Sequence, residues 1–146
     1  MVSKFINAMI ATSIMTVGVT TSAEAKVACP TKNEVTGAVT ALNTVMRQSE
    51  KNYFVLTAQP AINSSNLDWL VITQASGNGF DAAFANGEKN VKSVMAAATD
   101  EPVEQQGFYI CAYLSGSGMN VMTVAPQQQK MNFNPAMINF DSFKQN

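Results

Sequence analysis

Cys29 and Cys111 are the two cysteines of this chain, and a bond between them would tie the start of the fold to a point about 80 residues further on. No other feature restricts the reachable folds as strongly. Whether they pair depends on the compartment, and the first 25 residues bear on it. Lys4 is followed by an apolar run from Phe5 to Val19, diluted by Asn7, Thr12, Ser13 and Thr16, and then by Ala23-Glu24-Ala25. A charged start, a short apolar stretch and an A-x-A triplet are the marks of a cleavable signal peptide. A membrane span needs roughly 20 predominantly apolar residues, and this run is shorter and more polar. Lys26 also places a charge, ahead of Cys29, where a bacterial lipid-attachment motif has an apolar residue. The expectation is cleavage after Ala25, export to the periplasm or beyond without a stable membrane anchor, and a single small domain over residues 26–146. In an oxidising compartment two cysteines favour a disulfide over free thiols. The chain-entropy model gives such a loop about 4 to 5 kcal/mol.

Charge excludes some partners. Removing Lys4 and Glu24 from nine basic and ten acidic residues leaves eight and nine, a net charge of −1. Without a basic run, there is nothing to capture nucleic acid or an anionic membrane. The chain has no histidine, which removes the commonest general base and metal ligand. Asp100, Glu101 and Glu104 sit in a Pro-containing polar stretch that reads as a solvated loop, not as an acid/base pair. Gly77-Asn78-Gly79 and Ser115-Gly116-Ser117-Gly118 lack the spacing and lysine of a phosphate loop and read as turns. The triplet Asn63-Ser64-Ser65 carries no functional weight. Met119, Met122, Met131 and Met137 offer thioethers that suit Cu(I), but Met119 and Met122 would point to opposite faces of a strand, and methionine commonly fills core gaps. The chain reads as non-enzymatic.

Hydrophobic periodicity sets the expected elements. Thr31 and Glu34 form a capping box, and Val35, Ala38, Val39, Leu42, Val45 and Met46 recur at helical spacing, predicting a helix from about Lys32 to Gln48. The runs 52–58 and 67–73 read as a hairpin joined through Asn63-Ser64-Ser65-Asn66. Asp81 opens a second helical segment that reaches Ala98, with Asn86-Gly87 as an interruption and Val91, Val94, Met95 and Ala98 on one face. A second hairpin joins Gly107–Leu114 to Met119–Ala125. The order α-β-β-α-β-β gives an α+β two-layer domain, an antiparallel sheet of about four strands with the amphipathic N-terminal helix packed on it. The segment from Phe108 to Leu114 is apolar on both alternating faces, so it is central and covered twice. Residues 127–146 form an apolar tail that would dock on one side.

Tyr109 and Tyr113 lie on that strand, and a phenolate can ligate ferric haem. They are the candidate cofactor-binding residues. The two-residue period puts them on the face of Cys111, whereas Phe108, Ile110, Ala112 and Leu114 form the other face. A bond from Cys111 to the first helix would draw the tyrosines under the helix layer and leave an apolar platform without an iron ligand. Which face is free stays open in the sequence.

Cys29-Pro30 ahead of an amphipathic helix, the Trp69-Leu70-Val71 strand, and the Cys111-Ala112-Tyr113 strand ending in a Gly/Ser hairpin together resemble small exported proteins of intracellular Gram-negative bacteria. Some of these are called hemin-binding proteins. The resemblance implies an exported binding protein with hemin as the candidate ligand. The alternative is a secreted interaction or inhibitor module that acts on the envelope or on a host protein.

Overall fold

The computed structural model describes residues 26–128 and 133–140, so the segment read as a signal peptide and the tail residues Met131 and Phe143 lie outside it. Its elements are α1 (Lys32–Gly37), a 3-10 turn (Ala38–Ala41), β1 (Thr44–Arg47), β2 (Asn52–Leu56), β3 (Ile62–Ser64), β4 (Leu67–Ser76), α2 (Phe80–Lys92), β5 (Val94–Ala97), β6 (Val103–Gln105), β7 (Phe108–Ser115), β8 (Val121–Pro126) and a 3-10 turn (Pro135–Met137). The strands form one eight-stranded sheet in the order β1-β2-β4-β8-β7-β5, with β3 added to β4 and β6 added to β7. Every pairing is antiparallel.

This overturns the expected two-layer domain of about four strands under a long N-terminal helix. The capping box at Thr31 and Glu34 is present, but α1 stops at Gly37 and the chain turns extended at Leu42. Gly37 and the β-branched Thr36, Val39 and Thr40 form helix poorly. Val45 and Met46 find partners in Val55 and Phe54 across β1 and β2. Pairing along a sheet edge outcompetes the helical period here. The second helix also ends early, at Lys92, and Val94–Ala97 becomes β5, with Val94 opposite Ser115 and Ala97 opposite Tyr113. Four apolar residues satisfy either period, so pattern alone does not separate helix from strand here.

Two further strands came from segments read as polar links. Ser65 and Asn66 both have positive φ (54° and 59°), as do Gln106 and Gly107 (55° and 83°). Each pair makes the two-residue loop of a tight hairpin, β3–β4 and β6–β7, as the primed turns require. Ser and Gln rarely adopt this conformation, so the loops leave little trace in the sequence. Asn86-Gly87 does not interrupt α2. Gly87 is where the helix meets the sheet: a Cβ there would stand 2.7 Å from the Cβ of Val55.

Two cores flank the sheet. On one face Val55, Trp69, Val71, Cys111, Tyr113 and Val121 pack under Val35, Ala38 and Leu42 and under Val91 of α2. On the other, Phe54, Ile72, Phe108, Ile110, Met122 and Val124 pack against the tail residues Ile138 and Phe140. Burial on both sides explains why β4, β7 and β8 read as nearly continuous apolar runs.

Candidate functional site

The disulfide fixes which face the tyrosines take. Cys29 and Cys111 are bonded, with their Cα atoms 5.8 Å apart, and this draws the segment before α1 over β7. Tyr113, two residues on from Cys111, lies buried beneath that segment. Its hydroxyl donates to Pro30 O at 2.7 Å and lies 3.3 Å from Thr123 Oγ1. Burial pushes the phenol pKa up, the Thr123 hydrogen bond partly opposes this, and the negative charge of Glu34 adds to the rise. Tyr109 is half-buried on the same face, opposite Glu104, and lines a recess of about 220 Å³ with Lys26, Val27 and Pro102.

The structure places the two tyrosines in different settings, not around one opening. Pockets that hold small molecules span about 300–1,000 Å³, so the recess beside Tyr109 is too small for a macrocycle. The oxygen of Tyr113 is sealed beneath the chain at Pro30. On the opposite face, Phe108 and Ile110 are covered by the tail, Ala112 is half-buried and Leu114 is exposed.

The larger opening is elsewhere. A cleft of about 880 Å³ lies where β2 ends, β4 begins and β8 runs out. It exists because β4 outruns β2: its second half pairs with β2 and its first half with β3. Between them the chain leaves the ladder after Thr57, whose N–H donates to Val71 O, and rejoins it at Ala61, whose N–H donates to Trp69 O. The intervening Ala58-Gln59-Pro60 arches over the gap. Asn43 Oδ1 accepts from Ala58 N at 2.9 Å and anchors the arch to the start of β1.

Leu56, Leu70, Phe108 and Val124 line the apolar part, and Phe133 of the tail closes one side, edge-on to Phe108 with ring centroids 5.4 Å apart. Thr57, Gln59, Asn66, Asp68 and Gln127 supply the polar lining. Thr57 Oγ1 is engaged, accepting from Val71 N at 3.1 Å. Asp68 Oδ1 accepts from Asn63 Nδ2 at 2.8 Å, and Gln127 Nε2 donates to Glu104 Oε1 at 2.6 Å. Among the described lining residues Asp68 is the one acidic or basic side chain. No group of three or more metal-ligating side chains occurs among the described residues. No described helix is long and apolar enough to cross a membrane. The lining can exclude water from an apolar body and offer amide and carboxylate contacts at its edge.

Of the residues in the cleft, sequence reasoning had singled out Phe108, as part of an apolar platform. The others come from four separate segments, and the hint that this face needed a cover lay in the two-sided apolar segment Phe108–Leu114 and in the apolar tail. Comparison with protein-family models, with curated proteins and with solved structures finds no match to the chain.

Proposed function

We propose that this chain is an exported, non-catalytic binding protein that holds an apolar small molecule in the cleft between Leu70, Phe108 and Phe133. The observation that carries the reading is the cleft itself: about 880 Å³, apolar in its floor and amide-lined at its rim, which matches the size and make-up of small-molecule sites. The A-x-A segment supports export, and the absence of histidine from the sequence supports a role without acid/base chemistry. Hemin would be held here by contact alone, since none of the described lining side chains is a usual haem-iron ligand.

The test is titration with N-phenyl-1-naphthylamine, an uncharged fluorophore that brightens in apolar surroundings. Saturable enhancement at micromolar concentration is expected, lost in Ala58→Trp, which fills the arch from an exposed position. Hemin added in place of the fluorophore should shift its Soret band without a tyrosinate charge-transfer band. Absence of saturation with both probes would leave the cleft without a ligand and the proposal without support.

A further inference from the structure

The polar lining of the cleft is one-sided in charge. Asp68 is exposed, and its carboxylate is held by the Asn63 amide at 2.8 Å. Glu104, bonded at 2.6 Å by the amide of Gln127, lies outside the cleft lining and faces the smaller recess that Lys26 also lines. Neither carboxylate has a cationic side chain within ion-pair distance among the described residues, where Lys26 and Glu101 make the one such pair. Asp68 thus stands at the rim of an apolar floor, oriented by a neutral amide and without a cationic partner among the described residues. A ligand carboxylate or phosphate entering the cleft would meet repulsion, while a ligand ammonium would supply the missing partner.

Resting on the reading of the cleft as a ligand site, we propose that its ligand is a cationic amphiphile: an apolar chain or ring system on Leu56, Leu70, Phe108 and Val124 with an ammonium group directed to Asp68. The alkyl portion gains by leaving water, at roughly 0.8 kcal/mol per buried methylene. The head stays at the exposed rim, where the ammonium is not desolvated. Discrimination by charge is therefore modest, because exposed ion pairs are worth at most about fivefold in binding. Discrimination between ammonium and carboxylate is larger, since attraction in one case becomes repulsion in the other.

The experiment displaces N-phenyl-1-naphthylamine from the purified protein with decylamine, decanol and decanoate at neutral pH and low salt. Decylamine should compete up to about fivefold better than decanol, and decanoate worst. In Asp68→Asn the advantage of the amine over the alcohol should disappear while decanol competes as before. Raising the salt to 0.5 M should weaken decylamine alone, as screening of exposed charges requires. Equal competition by amine and alcohol in the native protein, or an amine preference that survives Asp68→Asn, overturns the proposal while leaving the cleft a ligand site. Failure of the fluorophore itself to bind removes the cleft reading and this inference with it.

Discussion

The Tyr113 hydroxyl joins the chain at Pro30 to the sheet through one donated hydrogen bond of 2.7 Å. Replacing it with Phe keeps the ring and strands a buried carbonyl, which costs about 1–3 kcal/mol. The same residue sets an alkaline limit. Its pKa is raised in the folded protein, chiefly by burial, so above about pH 10 the unfolded chain releases a proton that the folded chain keeps. That contribution is fully present below pH 10 and is lost as pH rises, at up to about 1.4 kcal/mol per pH unit. Urea unfolding at a series of pH values should show the gap between the native protein and Tyr113→Phe narrowing above pH 10; a constant gap would mean that the phenol titrates freely. Gly87→Ala is a contest between two terms. Alanine gains about 1 kcal/mol in helix propensity, but its Cβ would lie 2.7 Å from that of the fully buried Val55, and overpacking costs about 1–3 kcal/mol. Net destabilisation is expected in thermal melts, and a higher melting temperature would show that α2 shifts to make room.

Among the elements, those with strong local signals were legible in the sequence. The capping box at Thr31, the second hairpin around the Ser115–Gly118 turn, and the double covering of β7 follow from residue type and spacing. The elements that were misread depend on distant partners. Val45 and Met46 are strand residues because β2 lies beside them, and Val94 because Ser115 does. Strands β3 and β6 are three residues each and rest on left-handed Ser65 and Gln106, for which no residue type signals. The cleft was out of reach for the same reason: it is the gap left where β4 changes partner from β2 to β3. The disulfide was legible through the cysteine count and the expectation of export, and it joins the segment before α1 to a central strand. Its removal in a Cys29→Ala/Cys111→Ala double variant should cost up to about 4–5 kcal/mol by the chain-entropy model. A shift of the urea midpoint to lower concentration is the expected result. An unchanged midpoint would show that the packing of α1 over Cys111 and Tyr113 holds without the bond.

At the scale of the whole molecule, one sheet separates two covers of different kind. The helical cover is fastened by a disulfide and by the Tyr113 hydrogen bond, and α2 is fastened by a buried polar seam in which Asn90 donates to Thr73 Oγ1 and Gln74 O, and Thr73 donates to Asn120 O. The tail cover, in its described residues, rests chiefly on ring contacts, Phe140 with Phe54 at 4.9 Å and Phe133 with Phe108 at 5.4 Å, and on a bond from Asn139 N to Gln105 Oε1. Contacts of this kind open at lower cost than a covalent tie, so the cleft lies beside the cover that yields more easily, where a ligand can enter. The most direct test is an amide chemical-shift titration of the ¹⁵N-labelled protein with N-phenyl-1-naphthylamine. The account predicts saturable shifts at Leu56 to Gln59, Asn66 to Leu70, Gln127 and Phe133, with the amides around Tyr109 and Tyr113 unmoved. Shifts centred on Tyr109 and Tyr113, or none that saturate, would contradict it.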